Sequence, residues 1–67
     1  MAQFTLMINL GNDGILFASQ LSEALRKVAM RIAQNDYDLV KEHIVRGILD
    51  VNGNDVGVWI IDPSGTD

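Results

Sequence analysis

This chain has no cysteine, one histidine (His43), one tryptophan (Trp59), and no lysine or arginine beyond Arg46. Without cysteine it forms no disulfide, and it is silent about redox compartment. With His43 as the only imidazole, structural zinc is not expected. One histidine without a nucleophile or orienting acid at diagnostic spacing also argues against an enzyme, and no cofactor is expected. No apolar run approaches the ~20 residues of a membrane span. Met1–Thr5 lacks a basic region leading into an apolar one, so no secretory signal is expected, and the reading is a soluble, cytoplasmic protein.

The scarcity of cations has its own consequence. Residues 1–35 hold three basic and two acidic groups, residues 36–67 hold two and seven, and the net charge is −4. That surface repels phosphate, so direct nucleic-acid binding is not expected. A basic protein groove is the more natural partner, although the same acids also serve plain solubility.

What remains is one small domain. Sixty-seven residues, 48% of them apolar, are enough to fold but near the lower limit for doing so without a disulfide, a metal or a partner chain. The strongest local signal lies between Ile44 and Ile61, where two apolar runs flank Asn52-Gly53-Asn54-Asp55. Asn-Gly and Gly-Asn tolerate the positive φ of tight turns, so this is a β-hairpin, with Val51 or Leu49 opposite Val56. Either register gives the same two faces. Val45, Gly47, Leu49, Val51, Val56, Val58 and Ile60 form one, which is expected to be core. Ile44, Arg46, Ile48, Asp50, Gly57, Trp59 and Ile61 form the other.

Upstream, Phe4, Leu6, Ile8 and Leu10 alternate with polar or exposed partners and predict a half-buried strand, ended by Gly11-Asn12-Asp13-Gly14. Ile15–Ala18 is expected to pack beneath the next element. Leu21, Ala24, Leu25, Val28, Ala29 and Ile32 recur at three- and four-residue steps. They predict an amphipathic helix over 20–34, N-capped by Ser19. Arg26, Lys27 and Arg31 read as a solvated helix face. Residues 39–43 read equally as one helical turn or a loop, and 62–67 as a turn and loose tail. Asp50-Val-Asn-Gly-Asn-Asp55 imitates the start of a calcium loop. It lacks the glycine at position six and the glutamate at position twelve, so turn chemistry is preferred.

The order strand–helix–strand–strand predicts an α+β two-layer sandwich, one helix on a three-stranded sheet, with the first strand beside either the second or the third. The expected core joins Phe4, Leu6 and Ile8 to Val45, Leu49, Val58 and Ile60. Ile44, Ile48, Trp59 and Ile61 would then be exposed, edged by Arg46, Asp50 and, on the first strand, Met7, unless residues 36–43 or the tail cover them or Arg46 stacks on Trp59. An exposed Trp among isoleucines reads as an interface, for a homodimer or a foreign protein.

The segments Phe4–Asp13, Leu21–Ala29 and Asp50–Trp59 together resemble short proteins of phages and prophages, and through them anti-CRISPR and other anti-defence inhibitors. The resemblance implies a stoichiometric inhibitor of a host nucleic-acid complex, foremost a CRISPR–Cas effector. Asp36, Asp38, Glu42, Asp50 and Asp55 would lie over a basic groove as a partial DNA mimic, and Trp59 with Ile48 or Ile61 would anchor. The alternative is a small structural or accessory phage protein that homodimerises through its exposed sheet face.

Overall fold

The computed structural model describes residues 1–12 and 14–64. Strand β1 (Gln3–Ile8), helix α1 (Ala18–Asn35), strand β2 (Ile44–Leu49) and strand β3 (Asp55–Asp62) follow in that order. This is the expected α+β arrangement. The sheet order is β1-β3-β2, with both outer strands antiparallel to β3. The first strand therefore joins beside the third, and β1 and β2 are both edges.

Helix α1 starts two residues earlier than the capping reading placed it. Phe17 is extended (φ −125°, ψ 156°) and holds the N-cap position, and Ser19 lies inside the helix. At this end Gln20 Oε1 accepts from Leu16 N at 2.6 Å and from the N-cap Phe17 N at 3.0 Å. A longer amide side chain inside the first turn thus replaces a hydroxyl before it. At the other end Asp36 enters the left-handed region (φ 45°) and its N–H closes onto Ile32 O. Residues 36–43 contain no helix: Asp38 O accepts from Lys41 and Glu42 N, giving a single closed turn.

The hairpin ladder runs from Ile44↔Ile61 to Ile48↔Gly57, the register that would set Leu49 opposite Val56. At the turn it slips, Leu49 faces Asp55, and Val56 is left over as a bulge. At Gly57 the backbones of β1 and β3 lie close together, since a Cβ there would meet Met7 O and Ile8 Cα.

The strands place Phe4, Leu6 and Ile8 beside Ile61, Trp59 and Gly57, and these beside Ile44, Arg46 and Ile48. That face meets α1. The core is Ile15, Ala24, Val28, Ile44, Ile48, Val56, Trp59 and Ile61, with Leu6, Ile8, Leu21, Ile32 and Tyr37 packed against it. This corrects the expected core. Val45 and Leu49 are half exposed, Val58 and Ile60 are half-buried, and Phe4 is 50% exposed at the core's margin. Both hairpin faces are apolar, so alternation cannot rank them. The face carrying Trp59, the largest side chain, is the one the helix covers. Of Ile15–Ala18, Ile15 is buried while Leu16 and Phe17 are exposed.

Candidate interaction surface

Among the described residues, one helix covers one side of the sheet and nothing covers the other. The uncovered face is built by alternation from Thr5 and Met7 of β1, Val58 and Ile60 of β3, and Val45, Gly47 and Leu49 of β2. Met7, Val45 and Leu49 are 59%, 50% and 49% exposed. Val58 and Ile60 are shielded only because β3 is central. None of these seven residues is itself charged. Asp55 and Asp62 stand at the two ends of β3, with the Asp55 carboxylate beside Gly47. An uncharged apolar stripe between two carboxylates is the arrangement of a docking face, apolar at its centre and polar at its rim.

The residues assigned above to anchoring do not belong to this surface. Trp59 is 1% exposed, Ile61 2% and Ile48 3%, so all three are core and cannot touch a partner while the domain is folded. The Trp59 ring sits 6.2 Å from Phe4 and 6.1 Å from Tyr37, centroid to centroid. Residues 36–43 therefore do lie across the Trp59 face, through Tyr37. Arg46 is the cross-strand partner of Trp59, but its Nη1 donates to Val45 O at 2.9 Å. The indole Nε1 is buried and has no hydrogen-bond partner among the described residues.

Asp50 is also withdrawn from the proposed acidic set. It is buried and works as the tie of the hairpin turn. Its Oδ1 accepts from Asn52 N (2.8 Å) and Asn54 N (2.9 Å), and its Oδ2 from Asn12 Nδ2 (3.0 Å) and Asn54 Nδ2 (3.4 Å). Asn12 belongs to the β1–α1 loop, so one carboxylate joins two loops. Gly14 packs against it, and a Cβ there would strike the carboxylate. Burial alone would raise the Asp50 pKa. The hydrogen bonds from Asn54 and Asn52 amides and from the Asn54 and Asn12 side chains outweigh it and hold the carboxyl below its ordinary value. The acid–amide spacing that imitates a calcium loop is thus spent on the turn itself.

Asp36, Asp38, Glu42 and Asp55 are exposed. Asp38 and Glu42 are partly engaged with each other's turn, because Glu42 Oε2 accepts from Asp38 N (2.6 Å) and Asp38 Oδ1 from Val40 N (3.1 Å). His43 is exposed. Among the described residues no three His, Cys, Asp or Glu side chains are grouped to hold a metal ion, and no helix is long and apolar enough to cross a membrane. Of the expected loose tail, Asp62 closes β3 and accepts from Ser64 N and Oγ, and 65–67 lie outside the described residues.

Two grooves flank the helix. One, of about 440 Å³, lies between α1 and β2, with Lys27, Arg31 and Gln34 on the helix side and Gly47, Leu49 and Val51 on the other. The second, of about 350 Å³ and nearly all apolar, lies beside β1 and is lined by Ala2, Gln3, Phe4, Ile32, Leu39 and Ile61.

The surface residues missed by sequence reasoning are Val45, Leu49, Val58 and Ile60; it expects Met7 at the margin of an exposed face, though of the opposite one. Their alternation is visible in the sequence, but it marks a sheet face without saying which side the helix takes. No protein-family model matches the sequence, and no curated protein or solved structure matches it either.

Proposed function

We propose that this chain acts by stoichiometric binding to a protein partner, with the uncovered sheet face as its contact. The observation that supports this best is the apolar stripe from Met7 through Val58 and Ile60 to Val45 and Leu49, flanked at Gly47 by the Asp55 carboxylate, in a chain of net charge −4. Such a stripe costs solubility unless something covers it. The partner class we propose is a host complex that handles nucleic acid, a CRISPR–Cas effector foremost. Its support is the resemblance of residues 4–61 to phage proteins and the surplus of acid. Asp36, Asp38, Glu42 and Asp55 remain exposed and would steer the chain towards a basic groove, which gives the DNA-mimic component of the reading. Such a partner places the action in the bacterial cytoplasm.

The test adds purified protein to a panel of active effector complexes and measures target cleavage. The expected result for one effector is inhibition that reaches its end point near one chain per complex and is lost in Val45→Lys/Leu49→Lys. Cleavage unchanged across the panel at large excess of protein would sink the inhibitor reading. A second reading, an accessory phage protein that assembles with its own copies, is favoured by the absence of charge along β1.

A further inference from the structure

We infer that β1 is a self-pairing edge: two copies of this chain join antiparallel through β1, with Leu6 of both copies on the twofold axis. The inference needs no host partner and stands apart from the inhibitor reading. It begins with the backbone. Asn9 N donates to Val56 O at 2.7 Å, in phase with the pairs Met7↔Val58, Thr5↔Ile60 and Gln3↔Asp62. Hydrogen-bonded and non-bonded pairs alternate in an antiparallel ladder. The amides and carbonyls of Phe4, Leu6 and Ile8 therefore point away from β3, out of the sheet edge.

Exposed edges in monomers usually carry a lysine, a proline, a bulge or a covering segment. Strand β1 has none of the first three: its sequence is Gln-Phe-Thr-Leu-Met-Ile, and its register with β3 is unbroken. Phe4, Thr5 and Met7 are exposed along it. Every charged side chain of the protein lies after residue 12. In a molecule of net charge −4, this is the one strand along which a second copy meets no charge, and that selects a second copy as the occupant. By contrast, β2 carries Arg46 and has Lys27 and Arg31 across the adjoining groove.

The outward residues are all even-numbered, so they fix the register. Pairing them across a twofold axis at Leu6 sets Phe4 opposite Ile8 of the second copy and Leu6 opposite Leu6. Six backbone hydrogen bonds form, two at each of three pairs. The aromatic–β-branched pairs Phe4–Ile8 meet on the helix side, where such pairs stabilise a sheet. There they cover the mouth of the apolar groove formed by Phe4, Ile32, Leu39 and Ile61. On the uncovered face Thr5 faces Met7 of the second copy. The product is a continuous six-stranded sheet with both helices on one side.

The absence of cysteine makes the test direct. Thr5→Cys and Met7→Cys are made separately in the full chain, both at exposed positions, and folding is checked by circular dichroism. Opposed residues in a non-bonded pair have Cα atoms about 4.5 Å apart, within disulfide range. Mild oxidation of the two variants mixed should give a covalent dimer containing one of each. Either variant alone should stay largely monomeric under the same conditions, because like positions are offset by two residues along the strands. Sedimentation of the unmodified protein should show reversible dimer, lost in Thr5→Lys/Met7→Lys and kept in Val45→Lys/Leu49→Lys. Monomer at every concentration up to about 1 mM, or equal cross-linking in all three oxidations, overturns the proposal. Loss of dimer only in the Val45/Leu49 variant also overturns it, in favour of face-to-face packing.

Discussion

At the scale of single residues, Trp59 and Asp50 carry the fold, and each makes a measurable claim. Trp59→Ala removes the largest buried side chain, a change that costs about 3–5 kcal/mol. A domain of this length has only roughly 3–10 kcal/mol in total. Urea unfolding should find Trp59→Ala largely unfolded in water. Trp59→Phe keeps a ring between Phe4 and Tyr37 and deletes an indole N–H that has no partner among the described residues, so its cost should be less than half as large. An unchanged urea midpoint for Trp59→Ala would show that Trp59 is not core. Asp50 adds a pH dependence. Its folded-state pKa is held below its unfolded value, so the native state takes up this proton less readily than the unfolded chain. The stabilisation is complete above the unfolded pKa, about 3.9, and is lost as pH falls through the folded one. Thermal melts from pH 6 downwards, to about pH 2, should show the unmodified protein losing stability faster than Asp50→Asn. Parallel curves would remove Asp50 from the account.

At the scale of elements, the decisive contact is that between β1 and β3. Gly57 lets the two backbones close, because any Cβ there meets Met7 O. Gly57→Ala should cost on the order of 1–3 kcal/mol, as overpacked sites do. It should also loosen β1 in particular, which hydrogen exchange would register as faster exchange at Thr5 and Met7 than at Arg46. Uniform acceleration would mean that the strand pairs are not separable. The elements themselves are largely legible in sequence. Alternation gives β1, the three- and four-residue recurrence gives α1, and Asn52-Gly53 gives the hairpin. Sequence reading misses the bulge at Val56 and the start of α1. Both depend on how a side chain or an extra residue is accommodated by a neighbour, which one segment alone does not specify.

At the scale of the whole molecule, the shape is thin: its shortest extent is 17 Å, room for one sheet and one helix and no third layer. The bare sheet face follows from that thinness, the open β1 edge from its outer place in the sheet, and salt separates what they do. Partner binding steered by Asp36, Asp38, Glu42 and Asp55 should slow as ionic strength rises and the Debye length shrinks from ~10 Å at 0.1 M to ~3 Å at 1 M. Self-pairing through uncharged β1 should hold or strengthen over the same range, since salt screens the repulsion between two chains of net charge −4. A dimer that dissociates in salt would contradict a neutral edge.

By itself the sequence determined the fold class, the hairpin and its two faces, and the acid surplus that disfavours contact with phosphate. Those follow from local periodicity, turn chemistry and charge, which need no knowledge of neighbours. Only the tertiary structure decided which face is core. Phe4, Leu6 and Ile8 fall in register with Ile61, Trp59 and Gly57, and moving that register by one residue would have set them with Val58 and Ile60 instead. Where two faces are both apolar, pattern leaves them equivalent. The pairing of a third strand and the placement of one helix over the indole break that equivalence, exposing Val45 and Leu49 and burying Ile48, Trp59 and Ile61.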